Sequence, residues 1–441
     1  MKHLATFIIA SITGIVCQAQ TMTLTECISR GISCNLALAN AQTGIKKGRL
    51  GVTQNRSRLL PVIQGVAQMT DYLKSPVNVT TGTLLGNDFP DSPTWQTIKS
   101  MKYQTNAGIM LNLPIYNQTI LADIDVARTV EQLQKLSYEK AKEELTVQIG
   151  KVYYTAQASK EMLYLTDMNI NRMNELCEIT EALYDQGVVM EVDLNRVRIN
   201  RQRLQAERAM QYTLHKQQLN MLRYLMDMDA DTPLDVTPMD TVFKPIPTGG
   251  TSSTLPDIRI AEEQKTLIDK RIQSIKAGYI PTLSFTGYAG ALGYNEKVRQ
   301  FTDNWFGNCY LGVSLRIPIF EANQRHLKIR QYRFDAQQAL NNQEQLKKQI
   351  DRSYADATLQ ISRNMKIART QQECRKQAEQ VYLVAEEQYK EGVASMTALL
   401  QDDMQLRSAQ SACIQAICQC HLAQLDLLKL AGQLQELSRQ Y

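Results

Sequence analysis

The chain has 441 residues, of which 49 are basic and 44 acidic, so its net charge is only +5. Basic residues stand mostly beside acidic ones, which argues against the one-sided basic surface of a nucleic-acid-binding protein, and we expect no nucleic-acid partner. The 12 prolines and 21 glycines are concentrated in a few segments. This distribution is typical of long helices with discrete interruptions.

The first 19 residues have the pattern of a secretory signal peptide. Lys2 precedes an apolar core from Leu4 to Val16, and small residues precede a predicted cleavage after Ala19. A lipid anchor on Cys17 is the alternative, but Val16 stands where a small residue is preferred. No later segment has the ~20 consecutive apolar residues of a spanning helix. The sequence therefore predicts an exported protein without a transmembrane helix.

The next segments predict a helix followed by two strands. Residues 24–58 follow a helical pattern that ends at Leu59-Leu60-Pro61. Residues 62–72 and 103–114 alternate between apolar and polar side chains, which is the period of a strand with one apolar face. Residues 75–100, between these strands, are rich in Gly, Pro, Asp, Ser and Thr and are predicted to form a loop.

A long helical pattern follows and turns at a glycine. Apolar residues recur every three or four positions from Tyr116 onward, a coiled-coil seam. Gly187 interrupts the pattern, because glycine takes a positive φ at low cost and lets a helix end and fold back. Running to Gly187, about 70 residues of helix would extend roughly 100 Å. The return helix is predicted over 192–226.

The second half of the chain repeats the first. A helix is predicted over 259–276, strands over 282–290 and 309–318, and a second turn at Gly392. The pattern predicts a duplicated unit of helix, strand, strand, helix, turn and helix. The predicted division is a signal peptide over 1–19, a first repeat over 20–230, a connector over 231–255 and a second repeat over 256–441.

The alternating strands indicate a transmembrane β-barrel. Strands of about ten residues with one apolar and one polar face are typical of outer-membrane barrels, and aromatic residues stand near both ends of the predicted strands, as interfacial girdles would. Four strands do not close a barrel, because small closed barrels need about eight. Several copies would therefore share one barrel. The alternative is a soluble sheet that packs its apolar face on the helices.

Titratable groups give little support for an enzyme. After the signal peptide only three histidines remain, all in helical patterns, and we expect no catalytic residue, metal or cofactor. Asp227, Asp229 and Asp231 resemble the start of a calcium loop, but Thr232 replaces its glycine and Pro238 its bidentate acid. Eight cysteines follow the predicted cleavage site without metal-type spacing. An antiparallel hairpin around Gly392 would bring Cys374 near Cys413, and a disulfide between them is left open.

Taken together, these features resemble the TolC-like outer membrane efflux protein family over essentially the whole exported chain. The features that carry the resemblance are the duplication, the junctions LNLPIY (111–116) and LRIPIF (315–320), the two glycine turns and the closing segment LLKLAGQL (427–434). The resemblance implies a homotrimer whose twelve strands form one outer-membrane barrel, continuous with a long periplasmic α-helical barrel. It further implies a passive exit duct for efflux or type I secretion, served by an inner-membrane transporter through a periplasmic adaptor (membrane fusion protein).

The resemblance also implies roles for the two glycine turns, which we call the tips. It implies that an aspartate six residues after the first tip glycine and a tyrosine three before the second help to hold the tunnel shut. These are Asp193 and Tyr389, although interhelical packing is an equal reading of Tyr389. The residues with an implied role in docking the adaptor are Gly187, Val188, Val189, Gly392, Val393, Ala394 and Ser395.

Two positions depart from the family pattern. Well-studied members carry acidic residues six and nine positions after the second tip glycine, where this chain has Ala398 and Gln401. Asp402 and Asp403 stand just beyond and are added to the predicted closed-state contacts. An acidic ring is not expected at its usual place. The alternative function is a soluble periplasmic coiled-coil adaptor or structural protein, and the sequence does not identify a cargo.

Overall fold

The computed structural model describes residues 20–81, 95–241 and 255–434, so the predicted signal peptide and Cys17 lie outside the described residues. The chain divides into two compact units, one made of residues 1–44, 135–262 and 342–441 and the other of residues 45–134 and 263–341. Among the described residues, no helix is both long enough and apolar enough to cross a membrane. The elements in chain order are β1 (Gln20–Met22), α1 (Leu24–Cys34), α2 (Leu36–Ser57), β2 (Val62–Asp71), β3 (Val77–Thr81), β4 (Trp95–Lys99), β5 (Tyr103–Tyr116), α3 (Gln118–Asp185), α4 (Glu191–Leu225), β6 (Leu234–Val236), α5 (Pro256–Ala277), β7 (Thr282–Asn295), β8 (Trp305–Arg316), α6 (Gln324–Lys390) and α7 (Met396–Leu430).

The predicted helix over 24–58 is two helices, because Asn35 interrupts it. Its backbone is extended, with φ −61° and ψ 123°. The Asn35 side-chain oxygen accepts from the amides of Ala37 and Leu38 at 2.9 and 3.3 Å, and its amide donates to the Leu225 carbonyl at 3.0 Å. An asparagine that caps the second helix in this way competes with the backbone hydrogen bonds of a continuous helix.

The first unit is a helical bundle with a short parallel strand pair against it. Its main core includes Ile149, Tyr153 and Leu222, each no more than 2% exposed. The β1 and β6 strands pair from Gln20↔Leu234 to Met22↔Val236. Both strands escape sequence analysis because three residues are too few to define a period.

Side chains of α3 fix this strand pair and the connector after it. The Tyr153 hydroxyl donates to the Met22 carbonyl at 3.0 Å. Lys160 pairs with the Asp235 carboxylate and donates to the Val236 carbonyl, both at 2.7 Å. The described part of the predicted connector is therefore held by specific hydrogen bonds.

The second unit contains one four-stranded antiparallel sheet, in the order β2-β5-β7-β8. All four predicted strands are present, with longer extents than expected in the second pair: β7 runs five residues past Gly290, and β8 begins at Trp305 instead of Cys309. The strand β8 ends before Pro318, because proline cannot donate to a strand ladder. The strands β2 and β8 form the two edges of the sheet.

The two faces of this sheet differ in chemistry. Even-numbered positions lie on one face, where the Tyr288 and Tyr310 rings stack at 5.6 Å and the Tyr288 hydroxyl donates to Asn106. Odd-numbered positions lie on the other face, where Leu111 and Leu311 flank Gly287. Leu311 is 73% exposed. One face is therefore polar, and the other is apolar and largely uncovered within the chain.

The structure corrects one expectation and decides one alternative that the sequence left open. The predicted loop over 75–100 contains a second hairpin, β3 with β4, in register from Val77↔Lys99 to Thr81↔Trp95; short alternation inside a polar segment concealed it. Cys374 and Cys413 are both free. Cys413 instead packs with Ala368, so the hairpin brings it to a level about one and a half helical turns away from Cys374.

Candidate functional site

The two predicted tips are built in the same way. Gly187 has φ +73° and Gly392 φ +74°. At the first tip the amides of Gly187 and Val188 donate to the carbonyls of Tyr184 and Leu183 at 2.8 and 2.9 Å. The second tip repeats this pair, with Gly392 and Val393 donating to Tyr389 and Gln388 at 3.0 and 2.9 Å. This pattern is a Schellman motif, which ends a helix at a glycine in the left-handed region.

The helices that follow the tips begin differently. Ser395 is the N-cap of α7, and its hydroxyl accepts from the Ala398 amide at 3.2 Å. Met190 is the N-cap of α4 and offers no side-chain hydrogen bond. Instead, Glu191 and Asp193 lie in the first turn of α4, where negative charge is favourable to the helix dipole.

Apolar side chains are exposed at both tips. Val188 is 67% exposed and Val393 74%, whereas Val189 and Ala394 are half-buried. The first tip adds Met190 and Val192, 74% and 57% exposed, which sequence analysis did not single out. Their positions in the sequence do indicate that they belong to the tip, because both stand between Gly187 and the first buried residue of α4, Leu194. The first tip thus presents more apolar surface.

Asp193 pairs with Arg196 within α4, and Arg196 in turn links α4 to α7. The Asp193 carboxylate accepts from the Arg196 guanidinium at 2.9 Å, and the same nitrogen donates to the Thr397 hydroxyl at 3.0 Å. Arg196 was not predicted, although an arginine three residues after an aspartate on a helix is a recognised pair. The bridge connects the helix starts behind the two tips.

Tyr389 packs in the helical interior and is 8% exposed. Burial raises the pKa of its hydroxyl, the Thr180 side chain beside it lowers this pKa in part, and the negative charge of Asp193 raises it. Thr180 and Asp193 are polar neighbours of the hydroxyl, which nevertheless makes no well-aligned hydrogen bond with any described residue. A cluster from all four long helices surrounds the ring and includes Met173, Leu176, Leu194, Val197, Tyr382, Met396 and Leu399.

Asp403, one of the predicted closed-state contacts, lies in an interhelical cluster of ion pairs. Its side chain is buried, and its carboxylate pairs with Arg172 of α3 at 3.0 Å and with Arg407 at 2.8 Å. Arg172 also lies over the ring of Tyr382, 4.5 Å from its centroid. The carboxylate therefore joins α3, α6 and α7 instead of facing solvent. Asp402 beside it is half-exposed.

The positions expected to depart from the family pattern are open to solvent and uncharged. Ala398 and Gln401 both lie on the exposed side of α7. Among the charged side chains described near the second tip, Asp403 is neutralised by two arginines. Asp402, four residues after Ala398 and half-exposed, is the acidic side chain nearest to these positions.

Similar proteins are outer-membrane components of efflux pumps. The chain is 24% identical over 288 residues to the probable efflux pump outer membrane protein TtgC of Pseudomonas putida, an alignment that covers 61% of this chain and 56% of that protein. It is 22% identical over 273 residues to the solvent efflux pump outer membrane protein SrpC of Pseudomonas putida, with 59% and 56% covered. The alignments thus span little more than half the length of these relatives.

Solved structures with this fold are channel proteins. The outer-membrane channel OprN superposes with a TM-score of 0.73 at 16% identity, over 93% of this chain and 90% of that one. The Campylobacter jejuni CmeC outer membrane channel gives 0.73 at 16% identity, over 93% and 85%. At such identities the likeness shows the fold alone, in which long helices are combined with antiparallel β-strands.

A family model gives the assignment over most of the chain. The model described as outer membrane efflux protein matches residues 28–228 and 253–433. The two matched segments contain the four strands of the polar-and-apolar sheet and both tips. The chain belongs to the outer membrane efflux protein family.

Proposed function

We propose that this chain is a subunit of an outer-membrane exit duct through which an efflux or type I secretion system releases its cargo. The observation that carries the proposal is the sheet β2-β5-β7-β8, with a polar face, an uncovered apolar face and two open edges. Lipid covers such an apolar face at no desolvation cost, whereas water does not. A soluble adaptor or rod would leave this apolar face in contact with water, which is unfavourable.

The open edges support a homotrimer. Unpaired strand edges expose backbone groups that must be satisfied in a membrane, and a closed barrel satisfies all of them. Three copies of four strands would give twelve strands, with β8 of one copy beside β2 of the next. We infer that each repeat, 20–230 and 256–441, contributes two strands to this barrel and two helices joined by one tip to a helical tunnel.

The tips are the proposed docking surface for a periplasmic adaptor that leads to an inner-membrane transporter. The exposure of Val188, Val393, Met190 and Val192 supports this role, since exposed apolar side chains at a loop are typical of partner contacts. Ser395 contributes by capping α7. The name efflux pump, printed for the relatives, also supports the assembly with a pump.

A closed-state contact at Asp193 and Tyr389 is part of the proposal. The two groups influence each other within one protomer, and the Tyr389 hydroxyl is buried without a well-aligned hydrogen bond. Such a group is suited to a contact that is made in one state of the tunnel and broken in another.

The edge-strand arrangement gives the sharpest test. In a background with the exposed cysteines replaced, Cys34→Ala, Cys309→Ala and Cys374→Ala, a cysteine at Gln64, Val66 or Gln68 of β2 is combined with Ser314→Cys of β8. Oxidation should give covalent trimers for at least one pair, and Asn106→Cys on the central strand β5 should give none with Ser314→Cys. Cross-linking that yields only monomers, or recovery of the protein in the soluble periplasm without detergent, would refute the duct.

The docking role has its own test. Gly392→Pro or a bulky residue at Gly187 should abolish export, because the positive φ of both glycines is strained for any other residue and the exposed turn must change shape. Heat-sensitive trimers should still form, because nothing lies within 4 Å of a side chain added at either glycine and the strain stays at the turn. Loss of trimers in these variants would instead assign the tips a purely structural role.

A further inference from the structure

The polar face of the sheet carries a single charged side chain. The even-numbered positions of β2, β5, β7 and β8 hold amides, hydroxyls, glycines and a few apolar residues, and Arg316 is the exception. The tyrosine stack and the Thr286 hydroxyl, which donates to the Gly312 carbonyl at 3.4 Å, lie on this same face. Arg316 itself pairs in register with Thr282, at the end of the sheet where β8 leads toward α6.

Arg316 is exposed, and within the described part of the chain it makes no ion pair. Two ion pairs lie among the charged residues that flank the strands at this end. Glu321 pairs with Arg325 at 2.6 Å, and Arg58 pairs with Asp123 at 2.8 Å. A guanidinium stays protonated at any physiological pH. The polar face therefore has one uncompensated positive charge per copy.

We infer that Arg316 forms an anion-preferring ring inside the barrel, a selectivity site for cargo that carries carboxylate, sulfonate or phosphate groups. This inference rests on the proposed function, because a closed trimeric barrel turns its polar face inward and brings three Arg316 side chains to one level. Rings of Arg or Lys select anions in pores. A guanidinium also binds carboxylate or phosphate oxygens through two parallel hydrogen bonds.

The other side chains of the polar face are uncharged, which strengthens the anion preference of the three Arg316 side chains. No acidic side chain on the polar face of the four strands offsets the arginines. A single sign of charge between low-dielectric walls raises the local concentration of the opposite ion.

Planar-bilayer recordings of reconstituted trimers test the inference, with inorganic tripolyphosphate as the probe. The wild type should be blocked by tripolyphosphate, and Arg316→Gln should weaken the block at least about tenfold. In a KCl gradient the reversal potential of Arg316→Gln should move toward cation preference, and Arg316→Glu should move it further. Arg299→Gln, an equal charge change in the turn between β7 and β8, serves as the control and should leave both quantities unchanged.

The outcomes separate this inference from the duct itself. A channel whose block and reversal potential are the same in Arg316→Gln as in the wild type would overturn the ring. Arg316→Lys keeps the charge but not the two parallel hydrogen bonds, so it should keep the wild-type reversal potential, and a shift of that potential toward cation preference would also overturn the ring. Wild-type trimers that conduct no ions would instead contradict the proposed function. Heat-sensitive trimers of each variant confirm assembly before recording.

Discussion

The two helical hairpins have the same kind of turn but differ at the position eleven residues after the tip glycine. After Gly187 this position is Arg198, which pairs on the surface with Glu181 of α3 at 2.8 Å. After Gly392 it is Asp403, buried between Arg172 and Arg407. The duplication therefore preserved the backbone of the tip, whereas the same level became a solvated ion pair in one hairpin and an interhelical connection in the other.

The largest expected effect follows from that difference. Asp403→Ala leaves two arginines facing a buried site, which should lower the free energy of unfolding by about 3 kcal/mol. Arg198→Ala, at the matching level, should lower it by less than about 1 kcal/mol, because exposed pairs contribute little. Guanidinium unfolding in detergent, followed by circular dichroism at one protein concentration, measures both.

A double-mutant cycle sharpens the result. Arg172→Ala combined with Asp403→Ala should show a coupling of at least about 1 kcal/mol, because the two groups are in direct contact. Equal effects of Asp403→Ala and Arg198→Ala, or no coupling to Arg172, would show that the buried carboxylate does not connect the helices.

The next largest change in the free energy of unfolding should be the same in both hairpins. Gly187→Ala and Gly392→Ala should each cost about 1–2 kcal/mol, because alanine is strained at a positive φ and no atom lies within 4 Å to add a steric term. Gly51→Ala is a matched control: its added side chain also meets nothing within 4 Å, but it lies inside α2, where alanine is preferred. Opposite signs at the tips and at Gly51 are expected in the same unfolding assay.

The elements with a long period were predictable, and the short or interrupted ones were not. The four strands and the long helices α3, α4, α6 and α7 follow repeats that a sequence displays directly. The break at Asn35 depends on a hydrogen bond to Leu225, 190 residues away. The β1–β6 pair depends on Lys160 and Tyr153 of a distant helix. Sequence periodicity contains no information on such contacts.

The candidate site likewise has features that the sequence predicts and features that it does not. The Schellman turns follow from the two glycines alone, because a local φ requirement is visible in the sequence. The burial of Asp403 does not, since Asp402 and Asp403 are adjacent and only the packing of α3 against α7 decides which one meets Arg172. Arg196 and its link to Thr397 likewise depend on the distance between two helices.

Substitutions at the N-caps of α7 and α4 should change the stability by smaller amounts and in opposite directions. Ser395→Ala removes the hydroxyl that accepts from the Ala398 amide at 3.2 Å and should cost about 1 kcal/mol. Met190→Ser supplies the missing cap at the other tip and should gain about 0.5 kcal/mol or more. Thermal unfolding of the two variants checks the signs. If Met190→Ser does not stabilise α4, the acidic first turn already satisfies that helix start.

The smallest effect concerns one buried histidine in each return helix. His215 stands 28 residues after Gly187 and His421 29 residues after Gly392. His215 accepts from or donates to the Ser159 hydroxyl at 3.0 Å, and His421 stacks on Tyr154 with ring centroids 4.8 Å apart. Burial lowers the pKa of both imidazoles below the ordinary value of 6.5. Both are therefore neutral in the folded protein at pH 7.

The sign of the pH dependence follows from this lowering. In the unfolded chain these histidines protonate near pH 6.5, whereas in the folded chain they resist protonation, so the unfolded state binds more protons as the pH falls. Stability should be complete above about pH 7 and should decline as the pH falls through 6.5 toward the folded pKa values. The unfolding midpoint measured from pH 7.5 to pH 5 should decline less in His421→Phe, which keeps a ring against Tyr154, and less again when His215→Gln is added. An identical slope in the double variant would assign the acid sensitivity to other groups.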